Sequence, residues 1–402
     1  MKILTAHNRY IEPGGEDVVF EQEAALLQRH GHDVLRHERD NAELQQMKLL
    51  PRVLSSAESV WSSATYSDFS RLLARFMPHV VHVHNTFLRI SPSIFQACAD
   101  MGIPVVNTLH NYRLLCPSTT LYRNGAPCEK CVDGNMWHGI VRGCYRSSRT
   151  ATALSASMVG YNWHRRTWTD VVSHYIAPTN FLRSKMASAG LPAARISVKP
   201  HFVDPDPGIA EVRENYAIFI GRLSPEKGLT TLLSAWEQLS DIPLLIVGDG
   251  PQRTQLEALV HQKNLNARLA GHLSRAEALA KLKKARLLVF PSIGYESFGM
   301  GIIEAFACGV PVIASNHGAM QELVQHSRTG LLFEPANPDA LADSVRTCWS
   351  DDELRAAMSI RARREYEHKY TAAANYEMLM IVYERALSSR KAARDVCVPA
   401  AA

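Results

Sequence analysis

Glu296 and Glu304 stand eight positions apart in the stretch Pro291-Ser292-Ile293-Gly294-Tyr295-Glu296-Ser297-Phe298-Gly299-Met300-Gly301-Ile302-Ile303-Glu304, directly after the apolar run Leu287 to Phe290. Carboxylates accept hydrogen bonds from hydroxyl groups and repel phosphates. Glycines let the backbone approach a ligand closely, and the free amides of a helix start attract an anion through hydrogen bonds and the helix dipole. The stretch predicts a strand, a glycine-rich loop carrying Glu296, and a helix that holds Glu304 about two turns further on. Two solvated carboxylates are the ordinary fate of a glutamate pair. The strand-end position and the glycines argue against it.

A second cluster has the complementary charge. The apolar run Ala217 to Ile220 leads into Gly221-Arg222-Leu223-Ser224-Pro225-Glu226-Lys227-Gly228. Arg222, by its planar fork, and Lys227, as a point charge, suit a diphosphate leaving group. Pro13-Gly14-Gly15-Glu16 follows the first strand, and amides near Gly15 would meet the same phosphates, although a plain turn explains a Gly-Gly pair equally well. Hydroxyl-reading carboxylates beside cations and free amides fit a sugar nucleotide.

These clusters need strands that end beside one another. Lys2 to Ala6 reads as a first strand and Glu16 to His30 as a helix stopped by Gly31, with Asp33 to Arg36 the second strand. His79 to His84, Val105 to Leu109 and His174 to Ala177 follow, separated by helical stretches at Ser91 to Asp100 and Thr179 to Ala189. After Pro200 the alternation restarts with strands at 217–220, 244–247, 287–290 and 312–314. Strands alternating with helices imply parallel sheets covered on both faces. The expected fold class is α/β, with two Rossmann-like doubly wound domains facing across a cleft. Open α/β sheets bind ligands at the carboxyl ends of their strands.

The expected division is 1–204 for an acceptor-side domain with a cysteine-rich insertion at 111–150, and 205–370 for a sugar-nucleotide-binding domain. Residues 371–402 form a terminal helix and tail. His201 to Tyr216, with Pro205, Pro207 and Gly208, reads as the interdomain linker. From Asp351 to Arg390 there is neither Pro nor Gly, which predicts helices, and Val396 to Ala402 reads as a frayed tail.

Composition sets the class. The 402 residues are 46% hydrophobic and 21% charged, as in an ordinary globular protein of two domains. A net charge of +5 is too mild to imply nucleic acid as a partner. No run of about 18 apolar residues predicts a membrane span, and the opening residues are too short a core for a signal peptide. Eight cysteines are too sparse for a disulfide scaffold, so the expected location is the cytoplasm, including the inner face of a membrane.

Together these segments resemble the retaining glycosyltransferases of the GT-B fold, family 4, whose hallmark is two glutamates separated by seven residues. The resemblance covers most of the chain. It implies transfer of a sugar from a nucleoside diphosphate sugar to an acceptor hydroxyl with retention of configuration, in polysaccharide or glycolipid assembly. It assigns Glu296 to the hydroxyls of the donor sugar and Glu304 to the ribose. Arg222 and Lys227 take the diphosphate, helped by the backbone of Phe298, Gly299 and Met300, and Gly221 and Ser297 are further donor-binding candidates. Val247-Gly248-Asp249-Gly250-Pro251 resembles the family's next strand-to-helix turn, and Gly271-His272-Leu273 its base-binding region. The terminal helix is expected to cross back to the first domain.

His110 ends the strand Val105 to Leu109 and opens His110-Asn111-Tyr112-Arg113-Leu114-Leu115-Cys116-Pro117, a segment similar to one in a subgroup of the same family. The resemblance implies that His110 bonds the donor sugar and stabilises charge at the anomeric centre. A hydrogen-bonded buried histidine is the plainer alternative. No enzyme nucleophile and no catalytic cofactor are required, and electrostatic stabilisation of the leaving group carries the rate. A sugar-nucleotide epimerase of the same architecture and a catalytically silent binding subunit are the competing functions.

Cys116, Cys128, Cys131 and Cys144 follow, with the C-x2-C knuckle spacing at the centre. Four thiolates complete a tetrahedral structural zinc site, yet His138 is a rival ligand and the outer spacings fit no standard finger. Zinc and plain thiols both stand as readings. Tyr161 to Trp168 mixes aromatics with cations and suits a membrane interface, a glycolipid acceptor or a half-buried helix. The sequence leaves the nucleotide base, the sugar, the acceptor and the oligomeric state open.

Overall fold

Short runs of β-branched and aliphatic residues become parallel strands in two separate sheets. The computed structural model describes residues 1–11, 14–45 and 56–396; Pro13 before the Gly-Gly pair and tail residues 397–402 lie outside them. The chain forms two compact units. The first comprises Met1–Thr119, Glu129–Lys199 and the chain from Asn375 onward, and the second comprises Thr120–Cys128 and Pro200–Ala374.

The first unit contains β1 (Lys2–Arg9), β2 (Asp33–Asp40), β3 (Val80–Asn85) and β4 (Val105–Thr108). A two-residue pair, β5 (Tyr122–Arg123) and β6 (Ala126–Pro127), is antiparallel and belongs with the second unit. With β7 (His174–Ala177) and β8 (Ile196–Val198), the first sheet runs in the order β2-β1-β3-β4-β7-β8, parallel throughout. The order reverses between β1 and β3.

One face of this sheet changes character along the strands. Ile3 and Val80 near the amino ends of β1 and β3, with Val106 and Ile176 on the same face, pack with Leu27 of the helix Gly15–Arg29 and with Leu379, Val382, Tyr383 and Ala386 of the terminal helix Ala372–Val396. Side chains alternate faces along a strand, so His82 and His84 share the face of Val80 two and four residues on. There the face becomes polar, and His7, His82, His84 and Thr108 are all buried.

The second sheet holds β9 (Ala217–Ile220), β10 (Leu244–Val247), β11 (Ala267–Gly271), β12 (Leu287–Phe290), β13 (Val312–Ser315) and β14 (Gly330–Phe333) in the order β11-β10-β9-β12-β13-β14. Ile218, Leu288, Phe290, Val312 and Ala314 point to one face, against Ile302, Ile303 and Phe306 of the helix Met300–Ala307 and Ala362 and Tyr366 of the helix Asp352–Lys369. Ala217, Phe219, Leu287, Val289 and Ile313 point to the other, against Leu232, Leu233 and Trp236 of the helix Leu229–Trp236 and Leu341 and Val345 of the helix Pro338–Ser350. Both faces are covered, which is why these strands read as unbroken apolar runs.

Three strands, β8, β11 and β14, are absent from the sequence reading. Each lies at or beside a sheet edge, is three to five residues long, and in β11 is half-exposed, so its hydrophobic signature is weak. β1 and β2 run further than their apolar cores because Arg9 and Arg36 pair with Glu21 and Glu38 across the edge. The expected linker 201–216 contains neither helix nor strand, though Phe202 and Val203 are buried. No described helix is long and apolar enough to cross a membrane.

Candidate active site

In the second unit the order of strands reverses between β9 and β12, the point at which an open α/β sheet leaves a crevice at its carboxyl end. The loops that carry Arg222, Lys227 and Glu296 leave those two strands. Gly228 sits at φ +72°, and a Cβ there would lie 1.9 Å from the Pro291 carbonyl oxygen. The amides of Ile293 and Gly294 donate to the Glu226 carbonyl at 2.9 and 3.0 Å. The loop after β10 is fastened to the same place: Gly248 approaches the Gly221 carbonyl so closely that a Cβ would again fall at 1.9 Å, and the Leu223 amide donates to Asp249 O at 2.8 Å. Side chains on separate strands are thereby held in fixed relation.

Lys227 Nζ donates to Glu296 Oε1 at 2.7 Å, and Ser292 Oγ donates to the same oxygen at 2.6 Å. His317 Nε2 donates to the Ser292 carbonyl at 2.8 Å. Just over one turn into the helix Met300–Ala307, Glu304 Oε1 accepts from Arg275 Nε and Nη2, both at 3.2 Å. Burial pushes the Glu304 carboxyl above its ordinary range, and the Arg275 guanidinium partly restores it. Between the two glutamates the helix Met300–Ala307 begins at Gly299, φ +126°, with no side-chain cap. An uncapped start presents unsatisfied amides. Ser297 and Met300 are half-buried, Phe298 is buried against His201, and Arg222 is exposed.

Arg275, Ser292 and His317 do not emerge from the sequence. Arg275 opens the helix Arg275–Lys284 four residues after Gly271, behind β11, so its signal is lost with that strand.

In the first unit, the helix Gly15–Arg29 starts at Gly14, whose amide donates to Asp17 Oδ2 at 2.8 Å; Gly15 is exposed. Asp17 Oδ1 in turn lies 2.9 Å from His7 Nε2. Glu16 accepts from Asn111 Nδ2 at 3.2 Å, and burial raises its carboxyl to about 8, with the nearby Asp17 charge adding to the rise. His110, at the end of β4, pairs through Nε2 with His84 Nδ1 at 3.0 Å, the rings stacked with centroids 5.2 Å apart.

The cysteines are arranged otherwise than a four-thiolate site requires. Cys116 Sγ lies 3.1 Å from Ser118 Oγ, and among the described residues no three of Cys116, Cys128, Cys131 and Cys144 bring their sulfurs within 4.8 Å of one another. Spacing alone cannot supply the tetrahedral convergence that zinc needs. The group that does converge is Glu23, His82 and His84, all buried. There Lys199 Nζ already lies 2.5 Å from Glu23 Oε1, and both ring nitrogens of His82 are engaged, by Tyr383 OH at 2.9 Å and Thr108 Oγ1 at 2.7 Å. The lysine supplies the positive charge that a metal would bring.

Of the aromatic-basic stretch, Trp168 is buried and Trp163 Nε1 donates to the Leu114 carbonyl at 3.0 Å, while Tyr161 is exposed and Arg165 stacks on Trp61. A cavity of about 420 Å³ lined by Arg213, Arg286 and Arg355 lies beside residues that precede β9, β12 and β13, at the opposite ends of the strands from the paired glutamates. Its arginines are already engaged: Arg213 on the carbonyls of Lys283, Ala285, Cys308 and Gly309, Arg355 on those of Cys348 and Trp349 and on Asp352, and Arg286 on the Trp349 carbonyl and the side chains of Asn215 and Asp352.

With this geometry established, comparison with known proteins is decisive for the family. The family model described as Glycosyltransferase Family 4 matches residues 13–207, and that described as Glycosyl transferases group 1 matches residues 205–365. The chain belongs to the family 4, group 1 glycosyltransferases. Its two parallel sheets are the Rossmann-like pair of the GT-B fold, shared with Anabaena HepE solved with UDP (TM-score 0.67, 18% identity, 96% of this chain and 100% of that one). Sucrose-phosphate synthase of Thermosynechococcus elongatus has the same fold (TM-score 0.70, 17% identity, 96% and 99% covered).

Among sequence relatives of this family member, a GDP-mannose-dependent alpha-(1-6)-phosphatidylinositol monomannoside mannosyltransferase of Mycobacterium tuberculosis is 34% identical over 220 residues, 48% of this chain and 56% of that protein. The 2-deoxystreptamine N-acetyl-D-glucosaminyltransferase of Niallia circulans is 30% identical over 182 residues, 44% and 46% of the two chains. The chain spans about half the length of these curated relatives.

Proposed function

We propose that the protein transfers a hexosyl group from a nucleoside diphosphate sugar to a hydroxyl of a saccharide or glycolipid acceptor, with retention of configuration. The observation that carries this reading is the pair of buttressed carboxylates, Glu296 on Lys227 and Glu304 on Arg275, flanking an uncapped glycine helix start. Carboxylates oriented in this way accept hydrogen bonds from the donor's sugar and ribose hydroxyls. The diphosphate takes the amides at Phe298, Gly299 and Met300 and draws Lys227 and Arg222 towards its developing charge. His110 bonds the donor sugar, and Gly15 offers an amide to the phosphates.

Retention follows by front-face attack, the departing phosphate accepting the acceptor's proton, so that no protein nucleophile is needed. The names of relatives that act on GDP-mannose or bind UDP support a nucleotide-sugar donor.

The test has two parts. UDP-, GDP- and ADP-sugars are screened by thermal shift, since a ligand bound to the folded state alone raises apparent stability. The donor that binds is then incubated with and without acceptor saccharides and glycolipids, and the products are analysed by mass spectrometry and for anomeric configuration. An α-donor should give an α-linked product. Donor epimerised in the absence of acceptor would replace this reading with epimerase chemistry, and binding without turnover over the acceptor panel would replace it with a binding subunit.

A further inference from the structure

Behind His110 the first unit buries a row of ionisable groups that the reaction above does not use. Lys199 Nζ, fully buried after β8, donates to Glu23 Oε1 at 2.5 Å and to Asn375 Oδ1 at 3.1 Å. The other carboxylate oxygen of Glu23 lies 3.6 Å from His84 Nε2, a charge contact slightly longer than a hydrogen bond, and 3.8 Å from His82 Nδ1. His84 Nδ1 then meets His110 Nε2 at 3.0 Å. Four residues from three strands' ends and one helix are thus in series: Lys199, Glu23, His84, His110.

The direction of the proton in each link follows from charge. The Lys199–Glu23 ion pair sets a negative oxygen against His84 Nε2. Burial, and then the neighbouring His82, His110, His7 and Lys199, keep His84 neutral by holding its pKa well below the ordinary histidine value. A neutral imidazole has one N–H and one acceptor nitrogen, and the second is fixed by the bond the first makes. With the proton of His84 on Nε2, towards Glu23, its Nδ1 can only accept. The 3.0 Å bond is then donated by His110 Nε2–H, and Nδ1 is left as the acceptor of the His110 ring. Phe20, with its ring 5.3 Å from that of His84 and edge-on to it, and the Asp17-bonded His7 hold the His84 ring in place.

We propose that Glu23 and Lys199 are positioning residues which, acting through His84, hold His110 in the Nε2–H tautomer and so make its Nδ1 an obligate hydrogen-bond acceptor. The ligand group that suits such a nitrogen is a hydroxyl of the donor sugar, a deepening of the function proposed above that rests on the assignment of His110 to the donor. A protein that needs a neutral acceptor at one nitrogen gains from locking the other, as a second partner orients the base in a triad.

The experiment is long-range ¹⁵N NMR of the histidine side chains in the full-length protein, with signals assigned by His84→Asn and His110→Ala. The expected spectrum has both His84 and His110 protonated at Nε2. The double variant Glu23→Gln/Lys199→Met removes both charges of the buried pair together, so that neither is stranded. It is expected to give His84 as a mixture of tautomers and to lower kcat about 10- to 100-fold with the donor KM unchanged, the scale at which outer-shell partners of a histidine usually act.

His84 protonated at Nδ1 in the wild type, or a double variant with both tautomer states and kcat unchanged, would overturn the proposal. If the double variant does not fold, the wild-type tautomers decide alone. His110→Ala at wild-type rate would refute only the donor assignment, which keeps the two failures distinct.

Discussion

Lys227 Nζ and Glu296 Oε1 are 2.7 Å apart, although the two residues lie on loops leaving different strands and are 69 positions apart in the chain. The pair is a ready-made competition. Under the function proposed above, a diphosphate would draw the ammonium, and as Lys227 left Glu296 it would release carboxylate capacity for a sugar hydroxyl. Lys227→Met should lower kcat about 100- to 1,000-fold, the usual loss when one donor to a developing oxyanion is removed. Steady-state kinetics with the donor found by thermal shift checks this, and Lys227→Arg should restore only part of the rate because a planar fork does not replace a point charge.

Arg275 gives a pH signature. Burial raises the Glu304 carboxyl and Arg275 opposes the rise, so Arg275→Ala should move it higher still. A protonated carboxyl is a poorer acceptor, and donor affinity should therefore fall off at a higher pH in the variant than in the wild type as acid is added. Calorimetric titration of donor across the acid range would show the displacement. Coincident profiles would separate Glu304 from donor binding.

The loop junction predicts a steric result. Gly228→Ala places a Cβ 1.9 Å from the Pro291 carbonyl and holds a non-glycine residue at φ +72°. The expected loss is on the order of 3 kcal/mol or more in denaturant unfolding, with a steep fall in donor binding. Gly14→Ala, where a Cβ meets nothing within 4 Å, is the control and should lose no more than about 1 kcal/mol.

Glu16 predicts how stability varies with pH. Its carboxyl is raised from 4.5 to about 8 in the folded chain. The native state therefore binds more protons than the unfolded state across that window, and this group's contribution to stability falls as pH rises through it. Below about 4.5 both states are protonated and the effect vanishes. Glu16→Gln should be more stable than the wild type near pH 8 and should lose less stability between pH 5 and pH 8, as thermal unfolding at several pH values would measure.

The strands at 217–220, 244–247 and 287–290 are legible in the sequence to the residue, because strands buried on both faces are unbroken apolar runs. The places of Glu296 and Glu304 follow from counting past β12. Arg275 is hidden behind β11, whose Ala-Arg-Leu-Ala-Gly has no such pattern. Lys199 and Glu23 are harder still, since partners 176 positions apart leave no local mark, and a buried lysine looks like any surface one until the fold closes over it. The cysteine spacing is silent for the converse reason: C-x2-C states how far apart two residues are in the chain, whereas a zinc site depends on where four sulfurs meet.

The terminal helix has a consequence for the order of events during synthesis. Leu379, Val382, Tyr383 and Ala386 close the apolar face formed by Ile3, Val80, Val106 and Ile176. A ribosome therefore finishes most of the second unit while this patch of the first is still uncovered. The part that emerges first is the last to be sealed, and a nascent chain stalled before Asn375 would hold a greasy sheet for chaperones to find.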